Sequence, residues 1–199
     1  MTMMLCGLTG GVGMGKSTAA GFFSQFGARV ADTDELAREL VQPGQPALAE
    51  IRREFGENVV AADGQLKRSE LARLIFGDPA ARQNLEAILH PRIRARWQSQ
   101  VEQWRRENLP LALVVIPLLF ETAAENNFDK IICVACSPAG QRERLLARGW
   151  PVDQIRGRIA AQLPTESKMA RSHFVLWTEG ALASHRRQAD EIFRKVLKC

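Results

Sequence analysis

The stretch "LTGGVGMGKST", from Leu8 to Thr18, matches the pattern G-x-x-x-x-G-K-[ST] of a phosphate-binding loop. Its glycines let the backbone turn so tightly that successive N–H groups point inward at a phosphate, and a following helix adds its positive N-terminal end. The apolar run before the loop is typical of a buried strand, and the residues after it predict a helix. This strand–loop–helix order predicts a binding site for a nucleoside triphosphate.

Two side chains of this loop have distinct predicted roles. Lys16 supplies a mobile positive charge for the β- and γ-phosphates, and the Ser17 hydroxyl is suited to bind Mg²⁺, which we predict as the cofactor. The residues predicted to bind the nucleotide are Gly11, Val12, Gly13, Met14, Gly15, Lys16, Ser17 and Thr18.

Strand-like segments alternate with helical patterns along the chain, which predicts an α/β protein with the P-loop NTPase fold. We expect a five-stranded parallel sheet flanked by helices, with an inserted helical lobe and a helical lid. The predicted strands lie in 3–9, 28–34, 111–116, 129–136 and 173–177. The predicted nucleotide-binding core comprises 1–33, 95–139 and 165–199, the lobe 34–94 and the lid 140–164.

Composition limits the environment and the partners. A net charge of +5 and a pI near 9.4 indicate anionic partners. No segment approaches the roughly 20 apolar residues that span a bilayer, and the start has no secretory signal. We therefore expect a cytoplasmic protein without membrane contact. We also expect a monomer, although the sequence leaves an oligomer open. Its four cysteines are expected as thiols, with Cys133 and Cys136 in the core and not in a metal site.

The partner motifs of other P-loop classes are absent. A GTPase would carry D-x-x-G and N-K-x-D, and neither occurs in the sequence. Motor and AAA proteins usually carry an apolar run that ends in Asp, whereas "LALVVIPLLFE" ends in Glu121. Small-molecule kinases remain, which often take a carboxylate from elsewhere and use an arginine-bearing lid.

Asp34, in "VADTDELAR", is the candidate general base. It follows the second strand, which we expect beside the P-loop strand, so that its carboxylate could orient an attacking hydroxyl and accept its proton. Asp32 would point the same way if the backbone stays extended, or it could hold the hydration shell of Mg²⁺. For either aspartate the alternative is a helix N-cap.

Five arginines of the predicted lid are candidates to bind phosphate, because guanidinium groups match phosphate oxygens. Arg144 and Arg148 are the preferred pair, since they lie four residues apart on one helical face. Leu145 and Leu146 are expected on the opposite, packed side. The remaining candidates are Arg142, Arg156 and Arg158.

Several motifs together make the chain resemble the dephospho-CoA kinase family over nearly its whole length. They are "GLTGGVGMGKST" (7–18), "VADTDELARELVQPGQPAL" (30–48), "LHP" (89–91), "VIPLLFE" (115–121), "QRERLLAR" (141–148) and "RIAAQ" (158–162). The resemblance implies transfer of the ATP γ-phosphate to the ribose 3′-hydroxyl of dephospho-CoA, with Asp34 as base. It also implies that the helical lobe binds the CoA moiety.

The resemblance further assigns acceptor-side positions. They are Arg38, His90, Pro117, Leu118 and Glu121, and we also expect Asp32 on the acceptor side. One segment, "LWTEG" (176–180), departs from the family pattern, because it has Thr178 and Glu179 where relatives often show Asn. The corresponding segment of related kinases lies near the adenine pocket.

Two other functions stay open at this point. The chain could be another P-loop small-molecule kinase, such as a nucleoside monophosphate or sugar-acid kinase. A non-catalytic nucleic-acid-binding protein would need basic residues clustered on one face, whereas the arginines here are scattered among Glu and Asp. We therefore expect no nucleic-acid partner.

Overall fold

The computed structural model describes residues 3–198, so Met1, Thr2 and Cys199 lie outside the described residues, including one predicted thiol and both ends of the predicted core. The chain forms two compact units. One comprises 3–31 and 103–198, and the other Asp32–Glu102.

The first unit is built on a five-stranded parallel sheet, as predicted, and its strand order is β2-β3-β1-β4-β5. The strands are β1 (Met4–Gly10), β2 (Arg29–Asp32), β3 (Leu111–Val115), β4 (Lys130–Ala135) and β5 (Phe174–Trp177). The central strand β1 pairs on one side with β3, where Leu8 lies opposite Val115, and on the other with β4. All five residues of β3 are buried, as expected for a strand covered on both faces.

The expectation that β2 lies beside the P-loop strand is wrong, because β3 lies between them. The strands differ in how apolar they are. β3 carries only apolar residues and takes the inner position, whereas β2 begins with exposed Arg29 and half-buried Val30 and lies at the edge.

Helices connect and cover the strands. Their bounds are α1 (Lys16–Gln25), α2 (Thr33–Leu40), α3 (Pro46–Phe55), α4 (Arg68–Ile75), α5 (Pro79–Arg106), α6 (Pro138–Ala147), α7 (Val152–Ala160), α8 (Thr165–Ala170) and α9 (Leu182–Val196). Helix α1 packs against α9, and Phe23 is completely buried in the core beside the sheet. The break at Gly149–Pro151 separates α6 from α7, as the glycine and proline predict.

The second unit has its own apolar core, formed by α2, α3, α4 and part of α5. The buried members are Val41, Ala47, Ile51, Val59, Leu71 and Ile88. Helix α5 begins where the sequence predicts: the Asp78 carboxylate accepts hydrogen bonds from the N–H groups of Ala80 and Ala81, and Pro79 is its first residue. The helix continues through Pro91.

Candidate active site

The phosphate-binding loop has a backbone that side chains would obstruct. Gly10 has φ 145°, and a Cβ there would lie 2.2 Å from the carbonyl oxygen of Val134. Gly13 has φ 75°, and its Cβ would lie 2.8 Å from the side chain of Leu145 on α6. Both positions need glycine, because a side chain would clash with a neighbouring residue and would disfavour the positive φ angle.

Lys16 and Ser17 begin α1 at the open end of this loop. The Lys16 ammonium donates hydrogen bonds to the carbonyl oxygens of Gly10 and Gly11, at 3.0 Å each. Gly15 precedes the helix in a left-handed conformation, and its N-terminus has no side-chain cap hydrogen bond. Ser17 and Thr18 are exposed in the first turn. A helix N-terminus of this kind favours an anion, and the ammonium adds a positive charge beside it.

Two glutamines hold the residue Val12 from opposite sides. The Val12 N–H donates to Gln162 Oε1 at 2.9 Å, and the Val12 carbonyl accepts from Gln141 Nε2 at 2.7 Å. Gln141 is buried on α6, and Gln162 follows α7. The two ends of the predicted lid segment are therefore hydrogen-bonded to the phosphate-binding loop itself.

Arg144 and Thr178 form a second contact with the loop. The guanidinium donates to Thr178 Oγ1 at 2.9 Å and also to the Thr178 carbonyl, while the hydroxyl lies 2.8 Å from the Met14 carbonyl, to which it can donate. Thr178 is buried although it belongs to the segment that departs from the family pattern. Its hydroxyl thus connects α6 with the loop.

Glu179, the next residue, accepts hydrogen bonds from the Ser137 hydroxyl and from the Trp177 indole N–H. These donors favour the charged carboxylate, so the pKa of Glu179 is lowered from its usual value, chiefly by Ser137.

The residues after β3 contain three predicted acceptor-side positions. Pro117 and Leu118 are half-buried, and the Pro117 carbonyl accepts from the Thr9 hydroxyl at 3.2 Å and from Lys168 Nζ at 2.8 Å. Glu121 pairs with Lys168 at 2.8 Å and also accepts the Leu163 N–H at 2.8 Å.

The predicted lid face is only partly as expected. Leu145 is completely buried, whereas Leu146 is exposed, so the expectation that both pack is wrong for Leu146. Residues four positions apart lie on the same face of a helix, and Gln141 and Leu145 form the buried face of α6. Arg148 follows the last helical residue, is exposed, and has no side-chain hydrogen bond or ion pair within residues 3–198.

The remaining predicted site residues belong to the second unit. Asp32 ends β2, and its carboxylate accepts the Asp34 N–H at 2.8 Å as the N-cap of α2. The alternative that Asp32 is a helix N-cap is therefore confirmed, and the backbone does not stay extended to Asp34, which lies in the first helical turn. Asp34, Arg38 and His90 are exposed, on α2, α2 and α5 respectively.

The described cysteines carry thiols and are buried. Burial raises the pKa of Cys133 to about 11 and also raises the pKa of Cys136. Within residues 3–198, no group of three or more His, Cys, Asp or Glu residues could hold a metal ion. No helix in the same range is long and apolar enough to cross a membrane.

A sequence model of the dephospho-CoA kinase family matches residues 4–184, which include every predicted site residue. The chain belongs to this family. The dephospho-CoA kinase of Anaeromyxobacter dehalogenans (strain 2CP-C) is 42% identical over 191 residues, which cover 96% of this chain and 90% of that protein.

Two solved structures resemble the family fold seen here. The crystal structure of TT1252 from Thermus thermophilus has a TM-score of 0.84 at 32% identity and covers 98% of each chain. The dephospho-CoA kinase from Campylobacter jejuni has a TM-score of 0.68 at 21% identity, with 99% of each chain covered, and shares the fold. Family membership confirms that the protein is a kinase, as the sequence motifs predict.

Four residues of the site were missed as such by sequence reasoning: Gln141, Gln162, Lys168 and Thr178. The two glutamines lie in the family motifs "QRERLLAR" and "RIAAQ", so the sequence marked both positions without indicating what the side chains do. In the sequence, Thr178 is marked only by its place in the segment that departs from the family pattern. Lys168 had no signal, because a lysine in a short polar helix is typical of a solvated surface.

Proposed function

We propose that this dephospho-CoA kinase family member transfers the γ-phosphoryl group of ATP to the ribose 3′-hydroxyl of dephospho-CoA, giving coenzyme A and ADP. The observation that carries the proposal is the family match over residues 4–184, which includes the loop whose backbone geometry suits a triphosphate. The reaction forms a bond between the 3′-oxygen and the γ-phosphorus and breaks the bond to the bridging oxygen, which leaves with ADP.

The donor is held by residues 11–18. The N–H groups of the loop and of the first turn of α1 surround the phosphates, and Lys16 leaves its two carbonyl partners to neutralise the charge on the β- and γ-phosphates. The ammonium already lies at the loop, where it would exchange these hydrogen bonds for contacts with phosphate oxygens.

The residues present suit Mg²⁺ as the proposed cofactor. Ser17 offers an exposed hydroxyl at the first turn of α1, and phosphate oxygens of the nucleotide would complete most of the coordination. Mg²⁺ usually binds this way, through few protein oxygens, so the lack of a carboxylate cluster within residues 3–198 is compatible with it. When bound, the ion would neutralise charge on the phosphates.

Asp34 is the proposed base. It would accept the proton of the 3′-hydroxyl and orient that oxygen for in-line attack. Asp34 is exposed in the first turn of α2, and Asp32 holds that turn by capping it. The cap thus fixes the backbone position of the proposed base at the start of α2.

The acceptor would be bound by Asp32, Arg38, His90, Pro117, Leu118 and Glu121. Arg38 and His90 are exposed polar side chains of the helical lobe, proposed as 34–94, and so are accessible to an anionic ligand. Arg144 and Arg148 would neutralise charge on the transferred group from the lid, proposed as 140–164, with the nucleotide-binding core in 1–33, 95–139 and 165–199. Arg148 is the better placed to respond to a ligand, because Arg144 is hydrogen-bonded to Thr178.

We also propose a cytoplasmic, monomeric enzyme without a nucleic-acid partner. Its described cysteines are thiols, which suits a reducing compartment. Its arginines are scattered among Glu and Asp along the sequence, whereas specific binding of a nucleic acid needs basic residues clustered on one face.

A coupled assay of ADP release tests the proposal. The purified protein is supplied with ATP, Mg²⁺ and either dephospho-CoA or a panel of nucleoside monophosphates and sugar acids. Dephospho-CoA should be turned over and yield a 3′-phosphorylated product, identified by phosphorus NMR. Turnover of a monophosphate or sugar acid alone would instead support another P-loop small-molecule kinase.

A further inference from the structure

Lys168, on α8, has a completely buried side chain. An ammonium group is costly to bury unless it is paired and hydrogen-bonded. Lys168 Nζ lies 2.8 Å from the Pro117 carbonyl and 2.8 Å from Glu121 Oε1. The buried charge is therefore directed at two residues of a single loop, the one that follows β3.

Glu121 depends on this ammonium. Its Oε1 accepts the Leu163 N–H and pairs with Lys168, while its buried Oε2 has no hydrogen-bond partner within residues 3–198. Without Lys168 the carboxylate would keep one neutral hydrogen bond to balance a partly buried charge. The position of Glu121 thus depends on Lys168 and on one backbone N–H.

The loop's first residues are tied to the strand that carries the phosphate-binding loop. The Ile116 N–H donates to the Leu8 carbonyl at 2.9 Å, and the Pro117 carbonyl accepts both the Thr9 hydroxyl and Lys168. The Lys168 ammonium therefore links Glu121 to the Pro117 carbonyl, which also accepts the hydroxyl of Thr9 on β1.

The far part of this loop contacts Arg171, just after α8. Its guanidinium lies 4.3 Å from the centre of the Phe120 ring and pairs with Glu125. Two cations from one short segment thus hold consecutive parts of the loop, and α8 itself packs against β1 and β4. The loop has a fixed support on the sheet side.

We propose that Lys168 is a positioning residue for the acceptor substrate. It fixes the Pro117 carbonyl and the Glu121 carboxylate, both proposed acceptor-side groups, without contacting the substrate itself. This inference rests on the proposed function of the same site. It predicts that the loss of Lys168 affects the acceptor and leaves the nucleotide bound normally.

Lys168→Met tests the inference, because methionine keeps much of the side-chain length and removes the charge. We expect the KM for dephospho-CoA to rise about tenfold or more, as misplacement of a substrate-positioning group does. The Kd for ATP, measured by titration, should stay within about twofold of the wild-type value. Lys198→Met, at an exposed lysine, is the matched control and should leave both constants unchanged.

Glu121→Gln and the double variant with Lys168→Met add a readout that general loss of packing would not move. A neutral glutamine does not need the ammonium, so the part of the Lys168 effect that acts through Glu121 is already lost in Glu121→Gln, and the KM increase of the double variant should be smaller than the product of the two single increases. Independent, multiplying effects would contradict the inference.

Three further outcomes distinguish a failure of this inference from a failure of the proposed function. If the wild-type enzyme is active on dephospho-CoA, two results for Lys168→Met would overturn the inference alone. One is an unchanged KM for dephospho-CoA, and the other is a loss of ATP binding as large as the rise in that KM. Failure of both Lys168→Met and the double variant to fold, while Lys198→Met folds, would also overturn it, since Lys168 would then support the whole unit. A wild-type protein that cannot use dephospho-CoA would contradict the proposed function, and with it the inference.

Discussion

The guanidinium of Arg144 holds both oxygens of Thr178, the hydroxyl at 2.9 Å and the carbonyl. Since the same hydroxyl lies 2.8 Å from the Met14 carbonyl, an arginine expected to act on phosphate also supports the loop that binds it. Arg148, one helical turn further on, has no such contact within the described part of the chain. The two predicted lid arginines therefore differ in structural role.

The variants Arg144→Ala and Arg148→Ala should differ in their free energy of unfolding. Arg144→Ala removes hydrogen bonds from a charged donor and should lower the free energy of unfolding by about 2 kcal/mol. Arg148→Ala, at an exposed site, should change it by less than about 0.5 kcal/mol. Urea denaturation of both variants measures the difference. Equal losses would show that the contact with Thr178 has no stabilising role.

Lys16→Met should reduce kcat by about 100-fold or more, because it removes a cation from the charge that develops on the transferred phosphoryl group. The measurement is steady-state turnover of dephospho-CoA at saturating ATP. Lys198→Met is the control for loss of a lysine elsewhere. Wild-type turnover in Lys16→Met would argue against the role of the phosphate-binding loop.

Asp34→Asn should reduce kcat by about 100-fold or more while the Kd for ATP changes little, because the substitution removes a proton acceptor and not a phosphate ligand. Turnover and ATP titration are measured on the same preparation. Asp153→Asn, an exposed aspartate of α7, is the matched control. Unchanged turnover of Asp34→Asn would exclude this residue as the base.

Gln162→Ala should loosen the phosphate-binding loop at Val12. The Val12 N–H loses its acceptor, so its hydrogen exchange should accelerate about fivefold, which corresponds to a hydrogen bond of about 1 kcal/mol. The KM for ATP should rise in parallel. Gln154→Ala, at an exposed glutamine of α7, should change neither quantity. Unchanged exchange at Val12 in Gln162→Ala would show that this hydrogen bond does not hold the loop.

The pH dependence of stability should contain a contribution from Glu179. Its pKa in the folded protein is lowered below the ordinary 4.5, chiefly by the Ser137 hydroxyl, so the folded state favours the carboxylate more than the unfolded state does. That stabilisation is present above pH 4.5 and is lost as the pH falls through the folded-state pKa.

Glu179→Gln should therefore make the loss of thermal stability below pH 4.5 shallower than in the wild type. Melting temperatures measured from pH 7 down to about pH 3 test this, with exposed Glu191→Gln as the control. Identical acid limbs in the wild type and Glu179→Gln would contradict the prediction.

Much of the fold could be predicted from the chain because its signals are local. The apolar runs of β1, β3 and β4 and the break at Gly149–Pro151 depend on neighbouring residues, and each element lies where the pattern predicts. Strand order is a different matter. The position of β3 between β1 and β2 depends on which segment is more apolar than the other, so it follows from comparing the two strands and not from either segment alone.

The phosphate-binding loop shows the same division. The sequence by itself determined the loop and its lysine, because a side chain at Gly10 or Gly13 would be obstructed, and its further motifs determined the kinase family. Only the tertiary structure decided what surrounds it: Gln141 and Gln162 at Val12, Thr178 at Met14, and the buried Lys168 behind Glu121. Those contacts join residues more than 40 positions apart, and their physical cause is that buried polar groups must find partners wherever the fold brings them together.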